Sequence, residues 1–259
     1  MEEIEMEEWY RNLPSLTILE LIPDAQAAEH TFVFSADMIN DFCKPDKKNP
    51  KMRPLASSRV GAIARPIVGL LTALHNVNVE NFILVQDCHD PDAREFEAFP
   101  PHAVRGTEGA DTIYELTKLP FADKFIVFLK NTLSPAWAYR EKRHVPPEKT
   151  HPIYPEGYIP VWRESFDRYL ATHDIRTAIV VGNCSDLCVR ELTMYLLMRT
   201  NEHQGKMRIV IPTNCVQTFD LPVDIAKKIG AMPHPGDAYH MWALYEMARN
   251  KIEVVRGIV

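Results

Sequence analysis

Little in this chain points outside the cell or into a membrane. It has five cysteines, an odd number without the density of a secreted disulfide scaffold, which argues for a reducing, cytoplasmic setting. Long apolar runs are missing. Arg65 interrupts the best candidate, Ile63 to Leu74, so no segment reaches the length of a membrane span. The N-terminal stretch MEEIEMEEWYRNL is acidic and amphipathic, with neither the basic region nor the apolar region of a signal peptide. Lys and Arg are scattered rather than clustered. With a formal net charge of −6 and a pI near 5.9, no electrostatic footprint for nucleic acid or an anionic membrane exists. A small molecule is the expected partner. No glycine-rich fingerprint follows the first predicted strand, which sets a dinucleotide oxidoreductase aside.

What is present suits an α/β protein. The chain has 259 residues, 46% hydrophobic and 25% charged, enough for an ample core. Residues 1–30 read as an N-terminal extension broken by Pro14 and Pro23, and residues 31–259 as one domain. Apolar, β-branched runs predict six strands, at Thr31 to Ala36, Phe82 to Gln86, Phe125 to Leu129, Thr177 to Val181, Arg208 to Ile211 and Glu253 to Val255. Helical patterns lie between them. One is capped by Ser57 and runs to Leu74; others begin at Phe166, at Cys188 and in PVDIAKKIGAM and GDAYHMWALYEMARN. Asn131 to Trp162, with its prolines, reads as irregular. Alternating strands and helices imply right-handed crossovers, hence a doubly wound, mostly parallel six-stranded sheet with helices on both faces, a Rossmann-like three-layer arrangement. In such sheets the ligand sits beyond the carboxyl ends of the strands. Asp37, Asp87, Lys130 and the turn from Cys184 to Cys188 all fall at such ends.

Those positions suggest chemistry. In TAIVVGNCSDLCVRELTMYLL a buried strand turns into a helix at Cys188, where free N–H groups and the macrodipole favour thiolate and so a lowered pKa. The plain alternative is a buried core cysteine. A carboxylate and an ammonium beside that thiol, Asp37 and Lys130, would supply the acid and base a cysteine nucleophile needs; taken singly, each reads as a strand-end residue. The long polar loop DCHDPDAREFEAFPPHAVRGTEGAD carries Asp87, His89, Glu95 and His102, an oxygen and nitrogen set suited to a divalent ion. Asp90, Asp92 and Glu97 compete for the same role. Loops of that length inside a domain are usually functional.

Three motifs together resemble the isochorismatase-like cysteine hydrolase superfamily, and within it the nicotinamidase (pyrazinamidase) branch: FVFSADMINDF, QDCHDPD with FPPHAVRGTEGAD, and VVGNCSDLCV. The resemblance spans about residues 31 to 255. It implies Cys188 as nucleophile, Asp37 as general acid/base and Lys130 as their supporting charge. It further implies an oxyanion hole from the N–H groups of Cys184 and Cys188, with a cis peptide before Cys184. By position it gives Asp87, His89, Glu95 and His102 as ligands of one divalent metal ion, zinc ahead of iron, manganese or magnesium. Phe42 and Phe99 fall where the family flanks a substrate ring, although ordinary packing explains such residues as well. The expected activity is hydrolysis of nicotinamide to nicotinate and ammonia through a thioester. Another small amide, ureido or vinyl-ether substrate is the alternative. The expected protein is a cytoplasmic homo-oligomer. Cys88 stands where the family commonly has tryptophan, and Cys184 where alanine is usual.

Overall fold

The computed structural model describes residues 3–46, 48–49, 52–143, 161–203 and 205–259. All six predicted strands form, as β1 (Thr31–Ala36), β2 (Asn81–Asp87), β3 (Ile126–Lys130), β6 (Thr177–Asn183), β7 (Arg208–Pro212) and β9 (Glu253–Val255). Three more join the same sheet: β4 (Tyr139–Arg143), β5 (Val161–Ser165) and the two-residue β8 (Val216–Gln217). The sheet is therefore nine-stranded rather than six-stranded, in the order β5-β4-β3-β2-β1-β6-β7-β9, with β8 paired to β6 beyond the end of β7. The stretch expected to be irregular from 131 to 162 thus includes β4, second from that edge, and the start of the edge strand β5. The charged YREKR lacks the apolar alternation that marks a half-buried strand. Residues 144–160 of that stretch lie outside the described residues.

From β3 to β9 the ladder is parallel, while β4 and β5 run antiparallel at one edge. The chain leaves β1 outward through β2 and β3, then returns to lay β6 on the other side of β1. The order reverses between β1 and β6, and that is the topological switch point at which doubly wound sheets take their ligands.

Strand side chains alternate between two cores. One face puts Phe34, Ile83, Val85, Val180 and Ile211 against Val189, Leu192 and Leu196 of the helix Cys188–Glu202 and Leu244 and Met247 of the helix Gly236–Arg249. The other puts Val33, Phe82, Ile179, Val181 and Val210 against Ile67, Leu70, Leu71 and Leu74 of the helix Ala64–Asn76. The helix expected from Ser57 is broken in two, Ser58–Gly61 and Ala64–Asn76, and the Ser57 side chain caps neither. Pro66 lies in the first turn of the second piece, where its missing N–H costs nothing.

The segment before β1 packs on this frame. The helix Glu3–Arg11 sets Trp9 edge-on against Tyr245, with ring centroids 5.2 Å apart. Leu13 enters the first core. Leu16 donates to Gly257 O at 3.0 Å and accepts from Val259 N at 2.8 Å, so the two ends of the chain run side by side. Among the described residues, no helix is long and apolar enough to cross a membrane.

Candidate active site

Register brings the strand ends together. Ala36 lies opposite Val85 on one side and Gly182 on the other, and Asp87 opposite Lys130. Gly182 has φ 115°, and a Cβ there would sit 2.1 Å from Ala36 O, so only glycine lets β1 and β6 close up at this point. The next residue, Asp37, takes φ 49° and is fixed through its backbone. Its N–H donates to Val85 O at 3.0 Å, and its carbonyl accepts from Asn183 Nδ2 at 2.7 Å.

The side chains then converge in a buried cluster. Asp37 Oδ1 accepts from the N–H of Asp87 at 2.6 Å, and Oδ2 lies 3.0 Å from Lys130 Nζ. Lys130 also ion-pairs with Asp87, and its ammonium is 3.7 Å from Cys188 Sγ. Ligand atoms of Asp37, Asp87 and Cys188 all fall within 4.8 Å of one another. One ammonium therefore serves two carboxylates and a thiol.

Charge in this enclosure is redistributed. Burial pushes the Asp37 carboxyl up, Asp87 adds to that, and Lys130 and Cys188 offset only part of it, leaving its pKa at about 6. Burial also opposes the charge on Asp87, but Lys130 and His89 outweigh it and bring that group down to about 2. For Lys130, desolvation is overcome by the two carboxylates, so its pKa rises well above the ordinary value. The thiol of Cys188 departs from the sequence expectation. Burial, reinforced by Asp37, raises its pKa well above the usual cysteine value despite Lys130. The field of the helix start is outweighed by desolvation, so the resting form is the thiol.

The turn before Cys188 carries the expected cis peptide, between Asn183 and Cys184. The carbonyl of Cys184 accepts from the N–H groups of Leu187 at 3.1 Å and Val189 at 3.0 Å, and Ser185 N donates to Gln217 O at 3.0 Å. Among the described residues, no protein acceptor takes the N–H of Cys184 or of Cys188. Among the described residues no cysteine forms a disulfide.

The loop after β2 brings Asp87, His89 and His102 within the same 4.8 Å limit, all three buried. A bridge between His89 and Val104 holds the two arms, with His89 N donating to Ala103 O at 2.9 Å and Arg105 N to His89 O at 2.8 Å. His102 Nδ1 meets Pro100 O at 2.8 Å, which aims Nε2 the other way. Both ring nitrogens of the buried His89 lack a hydrogen-bond partner among the described residues. Unpartnered buried nitrogens beside a carboxylate and a second histidine are the donor set a divalent ion needs, so these residues fit one. Glu95 is less tightly gathered than the other three, with Oε1 3.8 Å from His102 Nε2. Of the competing carboxylates, Asp90 is engaged by Arg105 and Asn131, and Asp92 and Glu97 are exposed. Phe42 packs 5.3 Å from the His102 ring, whereas Phe99 is 39% exposed and 6.4 Å away.

Sequence reasoning missed three residues here. Phe96 lies edge-on to both histidines, at 5.5 Å from His89 and 5.7 Å from His102. Asp41, buried, accepts from Ala103 N at 2.8 Å and so fixes the backbone next to His102. Gly109 makes room for it, since a Cβ there would lie 2.1 Å from Asp41 Oδ2. Asn183 holds the backbone of Asp37. A carboxylate inside MINDF, four residues after Asp37, was the available signal for Asp41; nothing local marks the other two.

Fold and site together define an α/β protein with an acid, an ammonium and a thiol clustered at the switch point and a candidate metal centre adjoining them. The family model described as the isochorismatase domain matches residues 31–248, and the chain belongs to this family of hydrolases. It is 27% identical over 181 residues to Nicotinamidase 1 of Arabidopsis thaliana, a match covering 66% of this chain and 64% of that protein. Among solved structures, PnC1 of L. infantum in complex with nicotinate is similar at TM-score 0.60 and 15% identity, covering 90% of this chain and 96% of the other. Nicotinamidase PncA of Bacillus subtilis gives 0.57 and 20%, covering 87% and 99%.

Proposed function

We propose that this hydrolase is a cysteine amidase whose substrate is nicotinamide or a closely similar heteroaromatic amide. The observation that carries the reading is the buried Asp37–Lys130–Cys188 cluster, adjoining a histidine pair in which both ring nitrogens of His89 are unpartnered among the described residues. The sequence relative at 27% identity supports the choice of substrate.

The proposed chemistry uses that geometry. With its pKa near 6, Asp37 is mostly ionised at neutral pH, and the neighbouring thiol is not. Asp37 takes the Cys188 proton as sulfur attacks the carboxamide carbon, and Lys130 stabilises the negative charge during the transfer. The N–H groups of Cys184 and Cys188 receive the developing oxyanion, each donor contributing about 3 kcal/mol. Asp37 returns its proton to nitrogen, the C–N bond breaks, and ammonia leaves an acyl thioester. Water, deprotonated by the same carboxylate, adds to the thioester; its collapse releases the carboxylic acid and restores the thiol. Asp87, His89 and His102 would hold a divalent ion, with Glu95 alongside. Such an ion would supply a Lewis-acid contact for a ring nitrogen, and Phe42 and Phe99 would flank the flat substrate.

The test is ammonia release from nicotinamide, with metal content measured on the same sample. Cys188→Ala is expected to abolish release while circular dichroism stays native. Residual activity within about tenfold of wild type would remove Cys188 as nucleophile, since losing a covalent nucleophile costs far more than that.

A further inference from the structure

The turn that presents Cys184 and Cys188 is held from a direction the reaction does not require. Ser185, between them, is fully buried, and its hydroxyl meets His240 Nδ1 at 2.8 Å. His240 lies in the first half of the helix Gly236–Arg249, and its other nitrogen, Nε2, is 3.3 Å from Tyr10 Oη. The rings of Tyr10 and His240 meet edge to face at 5.9 Å. Tyr10 belongs to the helix Glu3–Arg11, ahead of the residues 31–248 that the family model matches. A continuous hydrogen-bonded chain, Ser185–His240–Tyr10, thus links the nucleophile turn to a helix outside the family domain.

The chemistry of the chain is that of a positioning device. Burial, with Arg59 adding to it, depresses the pKa of His240 to about 4, so the imidazole is neutral near pH 7. A neutral imidazole has one donor and one acceptor, which matches two hydroxyls that can each do either. Ser185, His240 and Tyr10 make no hydrogen bond or ion pair with Asp37 or Lys130 among the described residues, so the chain moves no proton in the reaction. Ser185 is gripped on both sides, by His240 through its hydroxyl and by Gln217 O through its N–H. Fixing it fixes the peptide planes on either side, one of which carries the Cys184 carbonyl that the N–H groups of Leu187 and Val189 bond, and so steadies the turn between Cys184 and Cys188.

We infer that the N-terminal helix is a positioning element of the active site, acting through Tyr10, His240 and Ser185 to hold the turn in its oxyanion-binding geometry. The inference rests on the amidase reading, and its test keeps the two separable. In the metal-loaded protein, Tyr10→Phe removes one hydroxyl and nothing else. It should lower kcat for ammonia release by about three- to tenfold with KM unchanged, the effect of losing one hydrogen bond that orients a transition-state donor. His240→Asn keeps a polar group near Nδ1, within reach of Ser185, but cannot reach Tyr10. Adding Tyr10→Phe to it should therefore lower kcat no further. The second readout is the rate of Cys188 alkylation by iodoacetamide, which needs no amide substrate and should change in the same single variants. A merely structural role would shift the melting temperature and leave kcat, measured well below it per titrated thiol, unchanged. If Tyr10→Phe leaves both kcat and the alkylation rate within twofold of wild type, the inference is overturned. Where the wild type releases no ammonia from nicotinamide, the substrate reading fails, and the alkylation rates alone decide for or against the positioning role.

Discussion

Replacing Lys130 by methionine isolates the electrostatics of the site. The side chain is 2% exposed, sits 3.0 Å from Asp37 Oδ2 and ion-pairs with Asp87. Methionine keeps the apolar stem and deletes the charge. The carboxylates of Asp37 and Asp87, within 4.8 Å of each other, are then left facing without compensation. At an effective dielectric constant of about 20, two such charges repel by at least about 3.5 kcal/mol. That falls within the roughly 3–5 kcal/mol lost when one partner of a buried ion pair is removed. The variant can relieve the repulsion only by binding a proton, so the folded-state pKa of the carboxylate pair rises above its unfolded value. A raised folded pKa means that stability is gained as pH falls, so the deficit should be full at pH 8 and smaller at pH 5. The assay is denaturant unfolding of chelator-treated wild type and Lys130→Met at both pH values. A deficit below about 1 kcal/mol at both would refute the account, because it would mean the carboxylates are far better solvated than the structure places them.

Three further outcomes are expected. Chelation should lower nicotinamide turnover and return of a divalent metal restore it, read as ammonia release; indifference to chelator would shift the substrate toward amides without a ring nitrogen. Asp41→Ala, which frees the Ala103 N–H beside His102, should weaken metal affinity about 10- to 100-fold, as loss of a group supporting a ligand does, measured by competition with a chromophoric chelator. His240 has a native pKa of about 4, below its unfolded value, so its contribution to stability is full above about pH 6.5 and drains as pH falls towards 4. The drop, roughly 3 kcal/mol, should flatten in His240→Asn when unfolding is followed across that range. An equally steep profile in the variant would assign the proton uptake elsewhere.

Local pattern carried the parallel sheet, because strands buried on both faces must be runs of apolar, β-branched residues, and TFVFSA, TAIVVGN and RIVIP are that. It also placed Asp37, Lys130 and Cys188 at strand or helix ends, since crossover topology sends every such end to one rim. It could not show the charged strand Tyr139–Arg143, which pairs through its backbone with β3 and β5 and needs no apolar signature. Three-dimensional packing alone decided the state of the Cys188 thiol. Its pKa depends on how much water the folded chain excludes and on carboxylates 101 and 151 positions earlier in the sequence, not on the helix it begins. The same holds for the loop after β2, where Asp87, His89 and His102 draw together while Glu95 stands at their side, and for Tyr10, which reaches His240 across 230 residues. Periodicity in a sequence reports which face of an element is buried. Which side chains share that burial, and at what cost in charge, is settled only when the elements meet.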